Sequence, residues 1–145
     1  MNLKSFLEFK GYTFYDEIIE LDIKASNTYF SGFTNLYVTD SMLVELANSL
    51  IDFPKNEKEV FFEFGEQPTK SSYFCVKFYP YSSLSHIGVQ IIIETSVLSN
   101  DIDKNRAQFE IIVEPSAIDN FRRAIMTLSN KKYGEAILYG RDNRI

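Results

Sequence analysis

Tryptophan is missing from this chain, and cysteine and histidine occur once each, as Cys75 and His86. A single cysteine rules out an internal disulfide and fits a reducing compartment. One cysteine and one histidine are too few for a zinc centre built on three or four such ligands. Any Cys–His or Ser–His nucleophile would have to pass through His86. Glycine and proline are also sparse, 6 and 4 in 145 residues. They mark no hinge or low-complexity linker, so residues 1–145 read as one domain. No apolar run approaches the roughly 20 residues of a membrane helix. The opening Met1–Glu8 has no apolar stretch of the secretion-signal kind, so a cytoplasmic protein is the expectation. No Gly-rich phosphate loop, dinucleotide fingerprint or nucleophile elbow is present.

What the chain does have is aromatic and aliphatic mass: 13 Phe and 9 Tyr within a 45% hydrophobic composition, enough for a substantial core. Net charge is −5. The charge is uneven, with 12 Asp/Glu against 6 Lys/Arg up to residue 70 and 8 against 9 beyond it. An acidic surface disfavours nucleic acid, whose phosphates need clustered Lys and Arg, and favours encounter with a basic protein.

Hydrophobic periodicity assigns strands at Phe14–Lys24, Tyr29–Val38, Glu59–Gly65, Ser72–Tyr81, His86–Thr95 and Ala107–Val113. Phe30, Thr34, Leu36 and Val38 share one side of the second of these, and Gly32 marks a bulge or a close backbone approach. In the fourth, Phe74, Val76 and Phe78 point inward, leaving Tyr73, Cys75, Lys77 and Tyr79 on the opposite face. Short connections, including the turn at Gln67–Ser72 and the polar loop Asn100–Asn105, argue for antiparallel pairing. Asp40 reads as the N-cap of a helix carrying Leu43, Leu46, Ala47 and Leu50, stopped before Pro54. A second helix carries Ile118, Phe121, Ile125 and Leu128. Pro115 suits its first turn, while Ser116 with Asp119 resembles a capping box. Ala136–Tyr139 reads as a last short strand and Arg141–Ile145 as a frayed end. The two strand-to-helix units align at an offset of 75, Val38 with Val113 and Leu43 with Ile118. Any capped amphipathic helix after a strand produces much of that likeness. The fold class is therefore α+β: a twisted antiparallel sheet of about six or seven strands with two packed helices.

Chemistry is harder to find. His86 opens a strand, where a half-buried, hydrogen-bonded imidazole is the expected state. Glu20 and Asp22 share a strand face and could form an acid–base pair or a divalent-metal site. No substrate-positioning element accompanies them, and a solvated face is the simpler reading. The expectation is no catalytic residue, no cofactor and no metal. What remains is surface: Asp16, Glu17, Glu20 and Asp22 in one region, and Glu59 and Glu63, with Glu57 and Glu66, in another. The outward tyrosines Tyr29, Tyr73, Tyr79 and Tyr81 add contact area of the kind that dominates interfaces. The partner-binding candidates are Asp16, Glu17, Glu20, Asp22, Glu59, Glu63, Tyr79 and Tyr81.

Three segments together resemble the WapI-type immunity proteins found beside bacterial polymorphic toxins of contact-dependent inhibition systems. They are Tyr29-Phe30-Ser31-Gly32, the run from Phe78-Tyr79-Pro80 to His86-Ile87-Gly88-Val89, and Phe109 to Phe121. The family has a similar strand before its first helix, a similar turn between two central strands and a similar opening to its last helix. The likeness spans roughly residues 18 to 129. It implies a cytoplasmic immunity protein that binds and blocks the C-terminal toxin domain of a cognate effector, often a nuclease. No binding residue is carried over, because the matched positions are of the structural kind: Gly32 and Gly88 for backbone geometry, Pro80 and Pro115 for turns, His86 for a local hydrogen bond. The alternative is a module holding a small apolar ligand between sheet and helices.

Overall fold

The computed structural model describes residues 4–55, 58–65, 72–96 and 104–143. Among them run β1 (Phe6–Tyr15), β2 (Ile18–Ser26), β3 (Ser31–Thr39), α1 (Asp40–Ser49), β4 (Val60–Gly65), β5 (Ser72–Pro80), β6 (Ile87–Ser96), β7 (Lys104–Val113), α2 (Pro115–Lys131), β8 (Gly134–Tyr139) and a 3-10 turn, Arg141–Asn143. The α+β class, the antiparallel pairing and the two helices are as the periodicity predicts. The eight strands divide between two four-stranded sheets, ordered β3-β2-β1-β8 and β4-β5-β6-β7.

The first sheet contains a strand, Phe6–Tyr15, that hydrophobic periodicity does not reveal. Phe14–Lys24 is not one strand: the chain reverses at Asp16–Glu17, with Tyr15 opposite Ile18. Asp16 takes a left-handed φ of 50° there, which Asp tolerates better than most residues. The missed strand β1 buries Leu7 and Phe9. It pairs with β2 on one side and β8 on the other. Phe30 does not share the buried side of β3; it ends the turn before that strand and is exposed. Asn27 closes this turn, its Oδ1 accepting from the amides of Tyr29 and Phe30 at 3.1 and 2.8 Å.

The start of α1 differs from expectation by one position, while α2 begins with Pro115 in its first turn, as expected. Thr39, not Asp40, caps α1, its hydroxyl accepting from the Met42 amide at 3.3 Å. Glu114 is the N-cap of α2 with Pro115 in the first turn, so Ser116–Asp119 is no capping box; Asp119 instead meets Arg122 at 3.1 Å. The C-terminal segment is tied down as far as Asn143. Ser5 Oγ donates to Asp142 at 2.7 Å, and the Lys4 amide donates to Asn143 Oδ1 at 2.8 Å. The expected Gln67–Ser72 turn lies outside the described residues up to Ser72, as do Asn100–Asp103 of the expected loop; Lys104 and Asn105 already belong to β7.

The inner faces of both sheets and the buried stripes of both helices form one core. Phe9 sits at its centre, with ring centroids 6.2, 5.6 and 5.4 Å from Phe64, Phe74 and Phe121, all edge-on. Gly32 is where β3 meets the second sheet: a Cβ there would lie 3.0 Å from that of Ala107. Thr34, fully buried beside it, spends its hydroxyl on the Glu94 carbonyl at 2.9 Å and so satisfies a polar group at the sheet-to-sheet contact.

The two halves repeat one element order, three strands, a helix and a strand. The fourth strand of each half lies in the sheet of the other: β4 against β5, β8 against β1. The offset of 75 noted in the sequence links the two N-caps, Thr39 and Glu114.

Candidate functional site

The two acidic regions lie on the outer faces of different sheets, and their surroundings differ. On the second sheet the acidic side chains are held in local pairs. Glu59 reaches Lys77 at 3.8 Å. Glu63 accepts from the Tyr73 hydroxyl at 2.8 Å. Glu110 accepts from the Tyr79 hydroxyl at 2.6 Å, and Glu94 pairs with Arg106 at 3.1 Å. The expectation that Tyr73 faces outward to solvent is corrected: it is 4% exposed, and Cys75, on the same face, is 7% exposed. Burial, ahead of the bond to Glu63, raises the Tyr73 pKa, and burial also pushes the Cys75 thiol up. Tyr79 is half-buried across Gly88, and its pKa is pushed up to about 12, first by burial and then by its bond to Glu110. Tyr81, just past β5, is exposed. A concavity of about 480 Å³ lies on this face, lined by Phe61, Cys75, Lys77, Gln90, Gln108 and Glu110 among others.

His86 has the local role expected of it. Its Nδ1 lies 3.3 Å from Ser82 Oγ and its Nε2 3.8 Å from Glu114 Oε1, joining the β5–β6 turn to the start of α2. Among the described residues no three His, Cys, Asp or Glu side chains form a group able to hold a metal ion. No helix among them is long and apolar enough to cross a membrane.

The first sheet is different. Glu20 and Asp22 do share the outer face of β2, and a single nitrogen, Asn35 Nδ2 on β3, donates to both, at 2.9 and 2.7 Å. Strand register places Tyr12 of β1 and Tyr37 of β3 directly opposite Glu20 on either side. Phe14 lies against Tyr37 with centroids 4.8 Å apart. These rings do not cover one another fully: Tyr12, Phe14 and Tyr37 are 47, 56 and 53% exposed, and Phe33 further along β3 is 49% exposed. Asp16 and Glu17 stand at the β1–β2 turn of the same sheet, both exposed. With Glu8, Lys10, Lys24 and Glu135 on the same side of β1, β2 and β8, the face carries more carboxylates than ammonium groups.

The aromatic half of this face is what the sequence reading missed. The signal was the other phase of the same alternation, Tyr12 on β1 and Phe33 and Tyr37 on β3; Phe14, at the register shift between Thr13 and Tyr15 and with exposed neighbours, lies outside that alternation. Only the β1–β2–β3 register shows that they flank the carboxylates. No family model matches the chain, and no curated protein matches it.

Proposed function

We propose that this protein is an immunity protein, binding the toxin domain of a cognate polymorphic or contact-dependent effector and neutralising it by occlusion, without turnover. The observation that carries the reading is the outer face of β1–β3, where four large aromatic side chains remain exposed around the Asn35-linked carboxylates. Clustered exposed aromatics on a soluble domain mark a contact surface, and aromatic residues anchor interfaces. The carboxylates fit a basic partner, such as a nuclease whose active-site cleft is built for phosphates, and would speed encounter with it. The family resemblance in three segments points the same way, to a toxin-bound inhibitor of the cytoplasm.

The test is co-expression with the toxin domain of the effector encoded beside the gene. Growth rescue and a stable one-to-one complex are expected. Glu20→Lys with Asp22→Lys should weaken the complex at least about tenfold and flatten its salt dependence. Glu59→Lys with Glu63→Lys, which breaks internal pairs, should have a smaller effect. Absence of any complex with the neighbouring toxin would remove the reading.

A further inference from the structure

We infer that the β1–β3 face is built to seat an arginine side chain of a basic protein partner, in preference to lysine. This rests on the proposed docking role of that face and specifies its chemistry. Glu20 lies in register between Tyr12 and Tyr37, so one carboxylate stands between two exposed rings. A guanidinium is flat and weakly hydrated; it can lie against a tyrosine face while its forked N–H groups meet a carboxylate. An ammonium is a compact, strongly hydrated point charge that gains less from such a ring.

The second element is the shared amide. Asn35 Nδ2 uses one oxygen of Glu20 and one of Asp22, Oε2 and Oδ1, fixing both carboxylates side by side on β2. Two carboxylates held together by a neutral group repel each other, and a cation with several donors in one plane relieves both at once. Lys10 stands across from Asp22 and offsets part of its charge. The incoming cation is therefore drawn toward Glu20 and the tyrosine pair. A lipid surface is a poor match for a face with this excess of carboxylates, and so is nucleic acid.

The experiment is an NMR titration of the intact, isotopically labelled protein with hexa-arginine and, separately, hexalysine peptide. Hexa-arginine should shift signals of Tyr12, Glu20, Asn35 and Tyr37 and bind about tenfold more tightly than hexalysine. Glu20→Gln should weaken both peptides. Tyr12→Leu with Tyr37→Leu should erase the arginine preference, with signal dispersion confirming that each variant is folded. Equal affinity of the two peptides, with shifts still on β1–β3, would overturn the arginine inference and leave the docking reading intact. Shifts confined to the second sheet would overturn the inference too. So would peptide-free, concentration-dependent shifts on β1–β3, which would assign the face to a second copy of the chain. The docking reading falls by a different result, failure of the toxin domain itself to bind.

Discussion

Tyr79 illustrates how one side chain can be fixed by what its neighbour lacks. Its ring lies over Gly88 on the adjacent strand, where any Cβ would intrude on the ring, and its hydroxyl donates to Glu110 two strands away. Gly88→Ala should therefore displace the ring and cost about 1–3 kcal/mol in urea unfolding; an unchanged midpoint would contradict the packing described. The same tyrosine gives a pH signature. Because its pKa rises from 10.0 to about 12 in the folded state, the folded chain holds a proton that the unfolded chain has lost in that window. Stability is thus intact below about pH 10 and declines as pH rises toward 12. Tyr79→Phe should make that decline shallower without abolishing it, since the Tyr73 pKa is raised as well. Both residues, and the strands holding them, were legible in the sequence. That Tyr73 would be buried while Tyr79 bridged to Glu110 was not, because each depends on cross-strand register.

Among the elements, the helices owe their positions to local chemistry. Thr39 takes extended φ and ψ and satisfies the Met42 amide, while Pro115 enters α2 where no amide hydrogen is needed. Thr39→Ala should cost about 1 kcal/mol of stability, readable by thermal unfolding, with Thr39→Ser close to wild type. Seven of the strands could be found by their period-two burial. β1 escaped because its alternation, Leu7 and Phe9 inside against Glu8 and Lys10, is interrupted by Gly11 and then by the aromatic pair Phe14–Tyr15, which reads as the start of another strand. Asp16–Glu17 carried the needed turn signal, obscured because the acidic pair also extends the polar pattern of β2. That single loss hid the exposed aromatic face, since half of it lies on β1.

At the scale of the whole molecule, the defining feature is the exchange of strands between halves: β4 completes the sheet of the second half and β8 that of the first. Neither half can then close its own sheet. Fragments 1–65 and 72–145, expressed separately, should give no cooperative unfolding transition, whereas together they should associate and recover one. A folded isolated fragment would contradict this dependence. The exchange was beyond the reach of periodicity, which assigns strands but not their neighbours; the offset of 75 showed only that two similar units exist. It leaves each sheet with one outer face, and the two are used differently, one for internal pairs and one with aromatic and acidic side chains left outward. The central claim is that the second of these is the working surface. Side-chain footprinting with the proposed toxin partner tests it most directly: carboxyl labelling of Glu20 and Asp22 and tyrosine labelling of Tyr12 and Tyr37 should fall sharply on binding, while Tyr81 and Glu59 stay accessible. Protection of the second sheet with the β1–β3 face still fully labelled would contradict the account.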